Sequence, residues 1–268
     1  MRILVTGAAT GIGLATTVEL TARGHEVVAT ARRLEALDGL DVAARLVLDV
    51  TDEVSVATAI AAAGPLDGIV NNAGRSEPGP IEQYPADAWR RVMDTNVLGP
   101  MLVSREVIAS MRERGSGVIV NISSVQGRLG IPFGGAYCAS KHALEGFSEV
   151  LRYEIGHFGI RVVLIEPGYI ASGPTEDPTR ERITHGDGLE VYRELHDQWD
   201  GSDDQVVGAA GRPGPEVVAA AVADAVEDPA TPFRVRVGAD SEMVLEARST
   251  MDDETFESTM RAVLNLTW

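Results

Sequence analysis

Cys138 is the only cysteine in 268 residues, so no internal disulfide can form and nothing points to an oxidising compartment. No apolar run approaches the roughly twenty residues that a spanning helix needs. The opening MRILVTG is already strand-like and leaves no room for a charged and then apolar signal segment, so a cytoplasmic protein is expected. Positive charge is scarce. Lys+Arg number 23 against 40 Asp+Glu, a formal net charge of −17, and such a surface repels nucleic acid and anionic membranes alike. Neither is expected as a partner. The five histidines, at 25, 142, 157, 185 and 196, show no metal-ligand spacing, so no metal is expected. Repeats, low-complexity tracts and dividing linkers are missing too, which predicts one domain over residues 1–268.

Lysine is as rare as cysteine. Lys141 is the only one, so 22 of the 23 basic residues are arginine. An ammonium is a compact charge and a guanidinium a broad planar fork, so a solitary lysine marks a position where the exchange fails. It ends the stretch NISSVQGRLGIPFGGAYCASK (121–141), four residues after Tyr137. On a helix the two side chains leave the same face and can reach one reacting atom. A phenol, with an ordinary pKa of about 10, exchanges protons poorly near neutrality until a nearby cation stabilises its phenolate. Lys141 is expected to supply that cation. Cys138 points to a different helix face and reads as a buried structural thiol.

What the chain has in quantity is alternation. ILV (3–5), EVVAT (26–30), RLVL (45–48), GIV (68–70), VIVNI (118–122) and RVVLI (161–165) are β-branched and too short for helices, so they predict buried strands. FRVRVG (233–238) predicts a last edge strand. Amphipathic segments over 14–22, 53–62, 86–112 and 136–157 predict helices between them. The alternation implies an α/β single-domain Rossmann fold, a doubly wound parallel sheet of about seven strands with helices on both faces.

The first strand runs into Thr6-Gly7-Ala8-Ala9-Thr10-Gly11-Ile12-Gly13 and then a helix. Glycines permit the tight turn and close backbone approach, and the helix N-terminus offers N–H groups to a pyrophosphate, so a dinucleotide is expected on Gly7, Thr10, Gly11, Ile12 and Gly13. After the second strand stand Ala31, Arg32 and Arg33, where folds that prefer NAD place a carboxylate. Two guanidiniums suit a 2′-phosphate, so NADP(H) is expected over NAD(H), held by Arg32 and Arg33. Asp49-Val50 and Asn72-Ala73-Gly74 close the third and fourth strands, where the crevice of a doubly wound sheet lies.

Taken together these motifs resemble the short-chain dehydrogenases/reductases of the single-domain form. TGAATGIG (6–13), DV (49–50), NNAG (71–74), NVLG (96–99), NISS (121–124), YCASK (137–141) and PG (167–168) occur in that family's order. The resemblance implies a catalytic tetrad of Asn96, Ser124, Tyr137 and Lys141, with Tyr137 and Lys141 also touching the cofactor. The family's serine-to-tyrosine spacing selects Ser124 over Ser123. It further implies that Asn96 orders a water, that Pro167 and Gly168 flank the nicotinamide, and that Ile170 and Ser172 approach its carboxamide. The runs 137–155 and LIEPG (164–168) are similar to the 17β-hydroxysteroid and retinol dehydrogenase branch, which implies a lipophilic ketone or alcohol as substrate. A homodimer or homotetramer built on helices 86–112 and 136–157 is implied as well.

Residues 172–211 are polar and irregular, and a long segment of this kind above a crevice reads as a substrate lid. Val191, Tyr192, Leu195 and Trp199 form its expected apolar stripe, and Gln126, Phe133, Tyr169 and Trp199 the expected pocket wall. Two other functions fit the same motifs: a non-catalytic NADP(H)-sensing regulator, and an epimerase or dehydratase that uses the same Tyr and Lys.

Overall fold

The computed structural model describes residues 1–171, 190–200 and 211–267. Seven strands form one parallel sheet: β1 (Arg2–Val5), β2 (Glu26–Ala31), β3 (Ala44–Val47), β4 (Gly68–Asn71), β5 (Gly117–Ile122), β6 (Ile160–Pro167) and β7 (Arg234–Val237). Their order is β3-β2-β1-β4-β5-β6-β7, so the chain reverses direction across the sheet between β1 and β4. In an open α/β sheet that reversal leaves a crevice beyond the carboxyl ends of the strands.

The short β-branched runs pair in parallel because both faces of the sheet are covered. Ile3, Val5, Val118 and Val120 point to one side, where α1 (Gly11–Ala22) and α7 (Glu216–Glu227) supply Leu20, Val218 and Val222. Leu4, Ile69 and Ile119 point to the other, against α2 (Glu53–Ala63), α4 (Gly99–Arg114) and α5 (Gly135–Ile155). One polar chain crosses this second layer. Asn71 donates to Asn121 Oδ1 at 2.8 Å and Asn121 donates to Ser148 Oγ at 2.8 Å, so a one-residue slip of β4 or β5 would strand buried amides.

The long helix expected over 86–112 is not uniform. After α3 (Ala86–Met93) the backbone widens into a π turn, Asp94–Leu98, before α4 begins. The extra residue in that turn rotates Asn96 inward, where it is 1% exposed. Apolar periodicity cannot reveal such a turn, because the stripes before and after it each keep their own 3.6-residue period. The helix expected to reach residue 157 ends at Ile155, and a 3-10 turn, Gly156–Phe158, closes on Gly159 with φ 77°.

Beyond β6, a 3-10 turn, Glu190–Tyr192, leads into α6 (Arg193–Asp200). The rest of the expected lid lies outside the described residues apart from Gly211, and so does Ser172. The C-terminal helices α8 (Ala239–Thr250) and α9 (Asp253–Val263) pack Leu245 and Phe256 on Val125 and Leu129, the loop after β5. No described helix is long and apolar enough to cross a membrane.

Candidate active site

The turn between β1 and α1 is built around absent side chains. Gly7 and Gly11 have φ of 65° and 54°, a region that L side chains rarely enter. At Gly13 a Cβ would sit 2.1 Å from the Gly7 carbonyl oxygen and 2.4 Å from the Asn72 amide nitrogen, so the position excludes any side chain. Asn72 ties the turn down by donating to Thr6 O at 2.9 Å and Gly7 O at 3.2 Å. Thr6 in return accepts the N–H groups of Asn72 and Ala73, both at 3.0 Å. Around Gly11 there is open space: an added Cβ would meet no atom within 4 Å, and the first turn of α1 carries no acidic residue. Thr10 is exposed beside it and Ile12 is half-buried. The result is a rigid cradle, open on one side, whose free helix N–H groups suit a pyrophosphate.

Arg32 and Arg33 follow β2 and are exposed, and neither side chain makes an ion pair or hydrogen bond with any described residue. Most other arginines of this acidic chain are engaged, for example Arg23 with Glu19, Asp224 and Glu227. Two unspent guanidiniums at the edge of the crevice fit a phosphate group. The Asp49 carboxylate is partly committed, because it accepts the N–H and the hydroxyl of Thr51 at 2.9 and 2.7 Å. Val50 is buried against Gly99, whose missing Cβ would lie 2.8 Å from Val50 Cγ2.

At the carboxyl ends of β4 and β5 the residues expected to do chemistry converge. Lys141 is buried, donates to Ile122 O at 2.7 Å, and holds its Nζ 5.4 Å from the Tyr137 ring centroid. The Ser124 hydroxyl hydrogen-bonds the Tyr137 phenol and also accepts the N–H of Gln126 at 3.2 Å. Ser123 faces the other way and donates to the buried Glu145. Asn96 clamps the loop after Gly74: it donates to Arg75 O at 2.8 Å and accepts Arg75 N at 2.8 Å, while a second donation, at 2.9 Å, reaches Ser140 on α5. Its side chain keeps only one lone pair of Oδ1 for the expected water. Gly74 lies between the two, since a Cβ there would be 3.7 Å from Asn96 Oδ1 and 4.0 Å from Lys141 Nζ.

The electrostatics differ from the sequence expectation. Burial pushes the Tyr137 hydroxyl up to about 12, against the smaller opposing pull of the Ser124 hydrogen bond. Burial likewise lowers Lys141 to about 8, with Glu145, one turn further along α5, pulling the other way. In the resting protein burial outweighs whatever Lys141 does for the phenolate. A dehydrated site penalises phenolate and ammonium alike, so the neutral phenol is the stable form. A phenol of this kind keeps its proton at neutral pH and has a cation 5.4 Å from its ring.

Pro167 and Gly168 end β6 beneath α8. The Asp240 carboxylate accepts the Tyr169 N–H at 2.6 Å and stands where a Gly168 Cβ would be, at 2.1 Å. Ile170 packs on the core face shared with α1. Tyr169 is covered by the Arg212 guanidinium, 4.7 Å from its ring centroid. Gln126 Oε1 lies 3.4 Å from Cys138 Sγ. Phe133, one turn before Tyr137, adopts φ 59°, and its ring meets those of Tyr192, His196 and Trp199 at centroid distances of 6.3, 5.8 and 6.0 Å. On α6 the expected stripe is only partly right. Val191 is 76% exposed while His196 is 4% exposed, because the 3-10 turn before α6 shifts the inward face. Sequence reasoning missed Ser140, Asp240 and His196. Ser140, three residues after Tyr137 inside the Tyr-to-Lys spacing, could have been flagged by helix geometry; no local signal flags the other two, which depend on tertiary packing.

A parallel sheet in this order, with a glycine cradle at its reversal and a buried Tyr–Lys pair beside it, is the frame of a dinucleotide-binding α/β protein. The chain belongs to the short chain dehydrogenase family of oxidoreductases, whose family model matches residues 1–182. It is 43% identical over 178 residues to an uncharacterized oxidoreductase, YusZ, of Bacillus subtilis, covering 62% of this chain and 63% of that one. It is 37% identical over 186 residues to a 3-ketodihydrosphingosine reductase of Bacteroides thetaiotaomicron, covering 68% of each. A short chain dehydrogenase of Burkholderia cenocepacia, solved in complex with NADP, superposes with a TM-score of 0.76 at 25% identity, covering 100% of this chain and 98% of that one.

Proposed function

We propose that the chain is an NADP(H)-dependent oxidoreductase that interconverts a lipophilic ketone and its secondary alcohol. The observation that carries this reading is the Tyr137 phenol, hydrogen-bonded by Ser124 and set one helical turn from a buried Lys141. The nicotinamide, when bound, supplies or accepts the hydride. In the direction of reduction, Tyr137 gives its proton to the substrate oxygen while the Ser124 hydroxyl hydrogen-bonds that oxygen. Lys141 offsets the phenolate left behind, and Asn96 holds the 74–75 loop against α5 so that the crevice keeps its shape. The aromatic wall of Phe133, Tyr192 and Trp199 and the ketodihydrosphingosine in the name of the Bacteroides relative both support an apolar substrate. NADPH absorbance followed over a panel of ketones and alcohols tests the reading; no oxidation by wild type on any of them would favour a sensor.

The cofactor preference rests on Arg32 and Arg33. Arg32→Ala is expected to weaken NADPH binding by about tenfold to a hundredfold, the worth of charge-assisted phosphate contacts, with NADH affinity almost unchanged. Fluorescence titration of both reduced cofactors measures this, and equal losses for the two would refute a 2′-phosphate site.

For assembly we infer a dimer or tetramer through α4 and α5. Between these helices runs a groove lined by Met101, Ile108, Phe147 and Leu151, and Tyr153 stands beyond it 86% exposed. Tyr153→Glu leaves the fold untouched and is expected to halve the sedimenting mass in analytical ultracentrifugation; an unchanged mass would move the interface elsewhere.

A further inference from the structure

The helix α6 brings a polar group into a place where nothing in the described chain needs it. It is tethered near both ends. Tyr192 hydrogen-bonds Glu82 on the loop after β4, and Gln198 exchanges hydrogen bonds with Thr267, at 2.9 and 3.2 Å. Between these anchors His196 is pressed inward against Phe133 and Trp199, with ring centroids 5.8 and 6.4 Å away. Both of its ring nitrogens are buried and neither has a hydrogen-bond partner. The Asp197 carboxylate is 3.8 Å from Nδ1, too far for a hydrogen bond, and is itself largely exposed.

Burying a donor and an acceptor without partners is unfavourable, and native proteins keep few such groups. A phenylalanine would fill an aromatic cage at lower cost. The loop that carries Phe133 leads within one turn to Tyr137, so the cage adjoins the expected reacting end of the crevice. Ligand sites pair apolar walls with a few polar groups that fix orientation, and an unpartnered imidazole packed among aromatic rings beside the expected reacting end is such a group.

We propose that His196 is the distal recognition group of the substrate site, and that the substrate is a largely apolar carbonyl compound or alcohol carrying a second oxygen, a hydroxyl or carbonyl, remote from the reacting one. This rests on Tyr137 marking the reacting end, as in the function proposed above. The aromatic rings of the cage hold the hydrocarbon body, and the imidazole accepts from or donates to the far oxygen. Without that oxygen the imidazole stays unsatisfied in the complex. Discrimination against the simpler ligand then exceeds the value of one ordinary contact.

The test uses the full chain with NADP+ and two matched pairs of probes, one rigid and one flexible: decalone with hydroxydecalone, and undecanone with its terminally hydroxylated form. Dissociation constants are read from quenching of tryptophan fluorescence, which needs no turnover. Wild type is expected to bind the hydroxylated member of at least one pair about tenfold more tightly, the worth of one buried hydrogen bond. His196→Phe is expected to abolish that preference and keep the affinity for the plain ketone, whereas His196→Gln restores part of it. The melting temperature of His196→Phe without ligand should not fall, since no internal hydrogen bond is lost. A preference retained in His196→Phe, no preference in wild type for either pair, or a clear drop in melting temperature would each overturn the proposal. A hydroxyl preference without any NADPH-linked turnover would support His196 and refute the oxidoreductase reading instead.

Discussion

Tyr137→Phe is expected to lower kcat by about a thousandfold or more while the dissociation constant for NADPH moves by less than about threefold. The loss follows from general acid catalysis, which contributes about a hundredfold to ten-thousandfold where one positioned group gives the proton. Only one oxygen is removed, and the aromatic ring that packs at the start of α5 stays. Water cannot take over easily, because the site is dry enough to push the phenol to about 12. Steady-state NADPH oxidation with the best ketone of the panel measures kcat, and fluorescence titration measures cofactor binding. Residual turnover above about a tenth of wild type would remove Tyr137 from the role of proton donor.

Lys141→Met should change activity and stability in opposite directions. Turnover is expected to fall by at least about a hundredfold, since nothing then offsets the phenolate, an electrostatic contribution of about 3 kcal/mol. Stability near pH 7 should rise. The folded protein holds this ammonium at about 8 against an ordinary 10.5, so burial disfavours its charged form by about 3 kcal/mol at the usual 1.4 kcal/mol per unit. The Ile122 carbonyl left without its donor returns about 1 kcal/mol of that gain. Linkage fixes the window. Between about 8 and 10.5 the unfolded chain holds a proton that the folded chain has lost, so wild-type stability rises with pH there, and Lys141→Met removes that rise. Between 10 and about 12 the folded Tyr137 keeps a proton that the unfolded chain loses, so stability falls again. In wild type, kcat/KM for reduction should decline as pH rises through about 8, where the free enzyme loses the ammonium. Denaturant titrations across pH and a pH–rate profile measure both. A variant less stable than wild type at pH 7, or a rate profile flat to pH 10, would contradict this account. Because Lys141 is the only lysine, reductive methylation reports on this one side chain and the terminal amine alone.

How much of this was legible beforehand differs from element to element. The strands were readable because each is a short β-branched run buried on both faces, and β1, β4, β5 and β6 fall within a residue or two of the expected segments. The glycine cradle was readable because its glycines have no substitute: Gly13 excludes a side chain by contact with backbone, whatever surrounds it. The π turn at Asp94–Leu98 was not readable, since a single added residue leaves both flanking stripes in phase with themselves. On α6 the residue type misled. The expected stripe did not include His196, yet the packing of Phe133 made it the inward side chain and left Val191 in solvent.

The amino-acid order by itself determined the layers, the parallel pairing and the Tyr–Lys spacing, because those follow from period, β-branching and helix geometry over a few residues at a time. Only the tertiary structure decided the proton affinities of Tyr137 and Lys141, which burial moves in directions that spacing does not reveal. The choice of Ser124 over Ser123, by contrast, was already implied by the resemblance, and in the folded chain Ser124 meets the phenol while Ser123 turns to Glu145. Dehydration is a property of everything packed around a group, and no local stretch of chain encodes it.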